Sequence, residues 1–330
     1  MRNWVIWGVS WWALAGLGWT GSLRAESITF MLDWVPNGRH TAFVAGKAKG
    51  FYKEAGLEVV LPRGFGGPDS IKKVAGGNAE FSLAEVPQMV MARAQNVPIK
   101  ILGFLHDRGQ IAIFALEGSG IQAPKDLEGR TAGDAPTGHI VFFPAFAKLH
   151  GIRKWNVTHM TPDAKLKALV AGQVEFIVGF TTQQPTLVAM GKSVGKRIVH
   201  MPFSEYGLDL YGTGFFTTEA RIAKEPDLVR RFTRATVKSI DWALKNSEEA
   251  VRLFVKAHPA TTPKIVGEQW DIVVDHMKTD RFRKMGLGWT DEAKMARTVE
   301  TVTTLMNLPR KVSAQEMYTN AFLPKVLPQF

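Results

Sequence analysis

The sequence predicts an α/β protein made of two doubly wound lobes that are joined by two crossovers. Short β-branched or aromatic runs alternate with segments of helical periodicity, which is typical of a mostly parallel sheet with helices on both faces. The alternation restarts near residue 130, which indicates a second sheet. The 330 residues are enough for two domains of ordinary size.

Composition narrows the range of functions. Hydrophobic residues make up 45% and charged residues 22%, which excludes a disordered or fibrous protein. The chain has no cysteine, so disulfides, thiol nucleophiles and thiolate metal sites are excluded. The net charge is +11, but the basic residues are scattered rather than clustered, and we predict no nucleic-acid partner.

The first 25 residues have the pattern of a secretory signal peptide. Arg2 precedes an apolar run from Trp4 to Trp19, and small residues then lead to Ala25. We predict cleavage after Ala25 and an exported, periplasmic protein. An uncleaved membrane anchor is the alternative, although the run is short for a span of about 20 residues.

Elements of the first unit follow one another with short connections. The predicted strands are Ile28–Leu32, Leu57–Leu61, Phe81–Ala84, Ile99–Leu105 and Ile111–Leu116. The predicted helices are His40–Phe51, Asp69–Ala75 and Val86–Ala94. Turn residues such as Asn37-Gly38 separate them.

The second unit repeats this pattern and ends in a helical tail. Its predicted strands are Thr131–Gly133, Val157–Met160, Phe176–Phe180, Ile198–Met201 and Tyr211–Thr217, and its predicted helices run from Thr137 to His150 and over Asp163–Ala171. The amphipathic helix Asp227–Lys245 opens the tail, which we expect to return to the first unit. Lobe 1 is therefore predicted over 26–116 plus 216–330, and lobe 2 over 117–215.

Two motifs near the start, Leu32–Thr41 and Ala48–Leu57, resemble the opening of the NMT1/Thi5-like family, the thiamine-pyrimidine-precursor binding proteins. Further matches cover nearly the whole chain after residue 25: Gly76–Phe81, Ala92–Pro98, Gly118–Ile121, Asp126–Arg130, Pro226–Phe232 and Tyr318–Asn320. The family belongs to the type II periplasmic binding proteins of ABC importers. The resemblance implies two lobes that close on a small molecule and deliver it to an inner-membrane permease, with no catalysis. We also predict a monomer without a cofactor, and no metal site, because the histidines lack His-x-x-x-His spacing.

The loop after the first strand is the leading candidate for a ligand contact. Ligands of doubly wound sheets bind beyond the carboxyl ends of strands. Asp33, Trp34, Asn37 and His40 offer a carboxylate, an aromatic plate, an amide and an imidazole there. The alternative is that Asp33 and Asn37 shape the turn while Trp34 fills the core.

Two predicted helix starts offer free backbone N–H groups to an anionic or carbonyl group. The first start contains Gly66, Gly67 and Ser70, and the second contains Thr137, Gly138 and His139. A plain helix cap that binds no ligand is the alternative at both starts.

Two other strand ends and one strand supply further candidates. Glu85 follows a strand and can accept from an amino group, and Phe180, Thr181 and Thr182 follow a strand of the second lobe. Tyr211 is predicted as a wall of the cleft. A surface carboxylate at Glu85 and a core aromatic at Tyr211 are the alternatives.

One departure from the family keeps the ligand class open. Pyrimidine binders of the family carry a glutamate in the loop after the strand that corresponds to Phe176–Phe180, whereas residues 180–192 here contain no acidic residue. A small heteroaromatic ligand resembling a thiamine pyrimidine precursor is the first hypothesis. An organic anion such as a sulfonate or an aromatic carboxylate is the alternative.

The related enzyme class, hydroxymethylpyrimidine phosphate synthase, is the alternative of another kind. The resemblance to this enzyme class implies a lysine that carries pyridoxal phosphate and a reacting histidine, and this chain has Ala84 and Gln88 at those positions. It also implies a cysteine-rich iron segment near Leu210–Phe216, and this chain has no cysteine. An aldimine requires a lysine amine, so the sequence disfavours this enzyme.

Overall fold

The computed structural model describes residue 1, residues 25–135 and residues 139–330. The predicted signal peptide lies almost entirely outside the described residues, and so do the predicted site residues Thr137 and Gly138. No helix in the described ranges is long and apolar enough to cross a membrane.

The described residues form two five-stranded sheets. In chain order the strands are β1 (Glu26–Met31), β2 (Leu57–Val60), β3 (Phe81–Glu85), β4 (Ile99–Phe104), β5 (Ile111–Leu116), β6 (Thr131–Asp134), β7 (Asn156–His159), β8 (Phe176–Phe180), β9 (Ile198–Pro202) and β10 (Thr213–Thr218). The first sheet has the order β2-β1-β3-β10-β4 and the second the order β7-β6-β8-β5-β9.

Helices lie against the two sheets and also make up the C-terminal tail. They are α1 (Thr41–Ala48), α2 (Phe51–Glu54), α3 (Gly67–Ala75), α4 (Val86–Ala94), α5 (Phe143–His150), α6 (Pro162–Val170), α7 (Gln184–Ser193), α8 (Glu219–Lys224), α9 (Pro226–Lys245), α10 (Ser247–Ala257), α11 (Pro263–Met277), α12 (Asp280–Met285), α13 (Glu292–Leu305) and α14 (Ala314–Met317). Short 3-10 helices lie at Gly38–His40, Pro124–Leu127, His139–Phe142, Thr181–Gln183 and Phe203–Tyr206.

One strand in each sheet runs against the others. β10 pairs antiparallel with β3 and β4, and β5 pairs antiparallel with β8 and β9. Each is the strand by which the chain enters that sheet from the other lobe. Neither crossover contains an α-helix, whereas α-helices connect the parallel strands within each sheet.

The pairing of β5 corrects the predicted lobe boundary. Residues 111–116 were expected in the first lobe, but β5 lies in the second sheet, and Thr213–Phe215 of β10 lie in the first. The crossovers are therefore residues 105–110 and 203–212. An apolar run such as Ile111–Leu116 fits the interior of either sheet, so its local pattern does not identify its partners.

The two crossovers run side by side. Leu105 N–H donates to Thr213 O over 3.0 Å, and Val86 N–H donates to Gly212 O over 3.1 Å. A side chain at residue 212 would place its Cβ 2.4 Å from Arg108 O, so only glycine fits this approach. The two connecting segments thus form one narrow hinge.

Aromatic packing holds the first lobe together. Phe232 of α9 stacks on Phe81 of β3 with the ring centroids 3.7 Å apart, and it meets Phe30 of β1 edge-on at 4.9 Å. The predicted apolar face of this helix therefore lies on the first sheet, as the tail was expected to do. The tail also reaches the second lobe, since Leu305 and Met306 at the end of α13 pack against its core.

Close packing of α1 on α9 makes a glycine necessary. A Cβ at Gly46 would lie 1.9 Å from Ser239 Oγ and 2.3 Å from Ser239 Cβ. We expect Gly46→Ala to lower the free energy of unfolding by about 1–3 kcal/mol, because one of the helices must shift.

Gly267 of α11 is the matched control, since a Cβ there meets nothing within 4 Å. We expect Gly267→Ala to raise the free energy of unfolding by about 0.5–1 kcal/mol through helix propensity alone. Urea unfolding monitored by circular dichroism measures both. Equal stability changes in the two variants would contradict the packing argument.

Candidate functional site

The loop between β1 and α1 is organised around a buried carboxylate. Arg39 Nη2 donates to Asp33 Oδ1 over 2.7 Å, and His40 Nε2 lies 3.1 Å from the same oxygen. Burial alone would raise the pKa of Asp33, but the charge of Arg39 and the hydrogen bond with His40 outweigh it and hold that pKa well below its usual range. Asp33 is therefore ionised in the folded protein.

His40 and Asn37 are occupied within this loop. Burial lowers the pKa of His40 to about 4, so its imidazole is neutral near pH 7. Its Nδ1 accepts from the Asn37 N–H over 3.3 Å, and Asn37 Oδ1 accepts from the Arg39 N–H over 3.0 Å. These contacts correspond to the turn-shaping alternative, and a ligand contact at either residue stays a prediction.

Trp34 presents its ring to the other lobe. The Trp34 and His139 ring centroids are 5.1 Å apart, and His139 meets Phe180 edge-on at 4.0 Å. The guanidinium carbon of Arg39 lies 4.3 Å from the Phe180 ring centroid. Four side chains from both lobes thus form a continuous layer across the cleft, and three of them were predicted site residues. We call Trp34, Arg39, His139 and Phe180 the aromatic layer.

A second buried ion pair supports the layer from lobe 2. Lys165 Nζ donates to Asp134 Oδ1 over 2.9 Å and to Val178 O over 2.8 Å. It also lies 3.2 Å from His139 Nδ1, and it is 5.7 Å from the Trp34 ring centroid. Burial and the Lys165 charge both push the pKa of His139 well below its usual range. His139 is therefore a neutral imidazole that accepts from an ammonium group.

Glu85 lies where both crossovers meet the first sheet. Its carboxylate accepts from Gln110 Nε2 of the first crossover over 2.9 Å and from the Thr213 hydroxyl at the end of the second. Burial raises the pKa of Glu85 to about 7, although both hydrogen bonds oppose the rise. The surface alternative for this residue is wrong, because Glu85 is buried.

The glycine loop before α3 is tied to the Asp33 loop. Gly66 N–H donates to Asp33 O over 2.8 Å, and the backbone at Gly66 has a φ of 119°, which favours glycine. A Cβ at Gly67 would lie 1.8 Å from Gln88 Oε1, so the Gln88 amide covers this helix start. Ser70 is buried, and among the described residues its hydroxyl has no hydrogen-bond partner.

The remaining candidates lie at the strand ends of lobe 2 and at the hinge. Thr181 N–H donates to Gln110 O over 2.7 Å. Thr182 is buried, and its Oγ1 has no partner within the part of the chain that the structure describes. Tyr211 stacks on Phe104 with ring centroids 4.3 Å apart, and its hydroxyl accepts from the Asp291 N–H over 2.8 Å.

Sequence reasoning missed Arg39, Gln110, Lys165 and Thr213. A signal was present for Lys165, because it shares one face of α6 with the buried Ala168 and Leu169. A lysine on an apolar helix face requires a buried partner. Gln110 and Thr213 carried no such signal, since they meet Glu85 only after the two crossovers come together.

Chemically, the site combines flat aromatic faces with compensated charges. Asp33 neutralises Arg39 and Asp134 neutralises Lys165. No group of three or more histidine, aspartate or glutamate side chains within residues 25–135 and 139–330 is arranged to hold a metal ion. Lys165 lies beside the layer, and its Nζ is engaged by three neighbours.

Comparison with known proteins identifies relatives of two kinds, namely binding proteins and synthases. A family model described as NMT1/THI5 like matches residues 37–250. The riboflavin-binding protein RibY of Chloroflexus aurantiacus is 26% identical over 309 residues, and the match covers 91% of this chain and 86% of that protein. A formylaminopyrimidine-binding protein of Halalkalibacterium halodurans is 25% identical over 236 residues, 70% of each chain. A 4-amino-5-hydroxymethyl-2-methylpyrimidine phosphate synthase of Legionella pneumophila is 24% identical over 241 residues, 72% of this chain and 75% of that enzyme.

Solved structures confirm the predicted fold class. The periplasmic aliphatic sulphonate binding protein SsuA of Escherichia coli superposes with a TM-score of 0.69 at 13% identity, covering 92% of this chain and 96% of that protein. At this identity the likeness concerns the fold alone. The two mixed sheets and their crossovers are those of a periplasmic binding protein.

The pKa of Glu85 predicts a pH-dependent contribution to stability. The folded protein binds the Glu85 proton more tightly than the unfolded chain, whose pKa is 4.5. This contribution is fully present below pH 4.5 and is lost as the pH rises through about 7, a total of about 3 kcal/mol. We expect the free energy of unfolding of the wild type to fall relative to Glu85→Gln across this range, as measured by urea titration.

The exposed Glu249, which pairs with Lys49 over 3.2 Å, provides the control. Glu249→Gln, measured over the same pH range, gives the effect of removing an exposed carboxylate. A constant difference for Glu85→Gln would show that burial does not raise the pKa of Glu85.

Proposed function

The chain belongs to the NMT1/THI5-like family, and we propose that it is the solute-binding component of an ABC importer for a small planar heteroaromatic molecule. The lobes close on the molecule, and the closed form delivers it to a membrane permease. The observation that carries the proposal is the aromatic layer, in which Trp34 of one lobe faces His139 and Phe180 of the other. Flat rings from both lobes suit a ligand that is itself flat.

Charge compensation favours an uncharged heterocycle over an anion. Arg39 is part of the layer and Lys165 lies beside it, and each already has a buried carboxylate partner. A free anion would have to compete with Asp33 and Asp134 for these cations. The buried hydroxyls of Ser70 and Thr182, which have no partner in the described ranges, are suited to bind ring nitrogens or carbonyls.

Glu85 supplies the carboxylate that the second-lobe loop lacks. Residues 180–192 have no acidic side chain, whereas Glu85 is buried at the hinge beside the cleft. A ring amino group that donates to Glu85 would stabilise its ionised form. Relatives that are named as binding riboflavin and formylaminopyrimidine are consistent with such a ligand.

The organic-anion alternative rests on Arg39, whose buried Nε has no hydrogen-bond partner among the described residues. One free guanidinium N–H can bind a sulfonate or carboxylate oxygen. Binding of an anion would weaken with rising salt, whereas binding of a neutral heterocycle would not. A calorimetric titration at two salt concentrations therefore separates the two ligand classes.

The synthase alternative requires reactive groups that this site does not present. This chain has Ala84 and Gln88 at the positions where the resemblance implies a lysine and a histidine in the synthases, and Gln88 instead covers Gly67. Lys165 is held by Asp134 and by Val178 O. We propose that the protein binds its ligand without converting it.

The proposal predicts that a heteroaromatic ligand stacks on Trp34. Thermal shift and calorimetry with riboflavin, 4-amino-5-hydroxymethyl-2-methylpyrimidine, butanesulfonate and benzoate identify the class that binds. We expect Trp34→Ala to weaken binding of the heterocycle about tenfold or more, and Trp34→Phe to keep most of the affinity, because stacking contributes about 0.5–1.5 kcal/mol beyond buried area.

Trp242→Phe is the control, since Trp242 packs on Phe51 in the first lobe and away from the layer. Mass spectrometry of the released ligand tests for turnover. Tight binding of butanesulfonate or benzoate alone would overturn the heterocycle assignment, and a chemically altered ligand would overturn the binding-only role.

Export predicts a defined start of the mature chain. Cleavage after Ala25 would leave Glu26 as the first residue, at the start of β1, where its side chain pairs with Arg231 over 2.7 Å. We expect the intact mass of protein recovered from the periplasm to equal that of a chain that begins at Glu26. A full-length mass in the membrane fraction would instead identify an uncleaved anchor.

A further inference from the structure

A narrow apolar chamber lies beside the proposed binding site, between the lobes. Its walls come from four parts of the fold: Met91 of α4, Ala145 of α5, Leu305 of α13, and Leu210 and Tyr211 of the second crossover. The cavity between these residues has a volume of about 30 Å³.

Glu85, a residue of the proposed binding site, also lines the chamber. Glu85 is the one charged residue among the residues that line the chamber in the described ranges, and its carboxylate also accepts from Gln110 and Thr213 at the hinge. The other walls are almost entirely carbon. A ligand that donates to Glu85 therefore has an apolar space immediately beside it.

Since the walls belong to different lobes, the chamber widens and narrows with the angle between the lobes. Met91 belongs to the first lobe, whereas Ala145 belongs to the second. An apolar group that enters when the lobes are apart becomes enclosed when they close. Water gains little there, because an apolar cavity offers it few hydrogen-bond partners.

We infer that this chamber is a subsite for a short, uncharged aliphatic or aromatic substituent on the ligand. This inference rests on the proposed function, in that the ring amino group of the ligand meets Glu85. Burial of the substituent adds hydrophobic free energy to closure. A substituent longer than the chamber keeps the lobes apart, so the chamber selects for length.

The first test uses xenon, which binds apolar cavities without any head group. A crystal of the wild type under xenon pressure should show a xenon atom among Met91, Ala145 and Leu305. The substitution Ala145→Leu should remove it by filling the space. Absence of xenon from the wild-type chamber would overturn the inference, whatever the protein binds elsewhere.

The second test uses 4-aminopyrimidines with a methyl, propyl or hexyl group at carbon 2, titrated by calorimetry. We expect affinity to rise about fourfold for each methylene that the chamber buries and to fall once the arm exceeds it. Ala145→Leu should move the optimum to a shorter arm, and Leu305→Ala should move it to a longer one.

Leu149→Ala is the matched control, because Leu149 is on the same helix as Ala145 but is 46% exposed. It should leave the length optimum unchanged. Pyrimidines that bind with no dependence on arm length would overturn the subsite and leave the proposed function standing. Pyrimidines that fail to bind while xenon occupies the chamber would contradict the proposed ligand class and still support the chamber.

Discussion

The buried contact between Asp33 and Arg39 determines how the two lobes meet. Arg39 is held by Asp33 within the first lobe and lies over Phe180 of the second. Without the carboxylate, a buried guanidinium would lack a charged partner, at a cost of several kcal/mol. The same ion pair fixes the loop that carries Trp34. The aromatic layer therefore depends on an electrostatic contact within the protein, which does not involve a ligand.

Each lobe neutralises its own cation before the lobes come together. Asp33 forms an ion pair with Arg39 in the first lobe, and Asp134 forms one with Lys165 in the second. Closure therefore brings two internally balanced surfaces together, which avoids burying an unpaired charge. Burial also keeps His40 and His139 neutral, since it lowers both of their pKa values.

Local periodicity was sufficient to predict most strands and helices, and it placed Trp34 and Phe180 at strand ends and His139 at a helix start. It was not sufficient to assign β5 to a sheet, because an apolar run is equally suited to either core. Glu85 was found, but its hinge partner Thr213 lies 128 residues away along the chain. Contacts of this kind depend on how distant segments pair, and no pattern within a short window encodes them.

The placement of β10 has a consequence for the order in which the chain acquires its structure. Strands β5 to β9 are continuous in sequence from residue 111 to residue 202, so the second sheet can be completed as soon as that stretch is available. The first sheet lacks its strand between β3 and β4 until residue 218 has been made. Pairing over such a distance is slow. The N-terminal part of the chain, although synthesised first, is therefore the last to become a finished lobe.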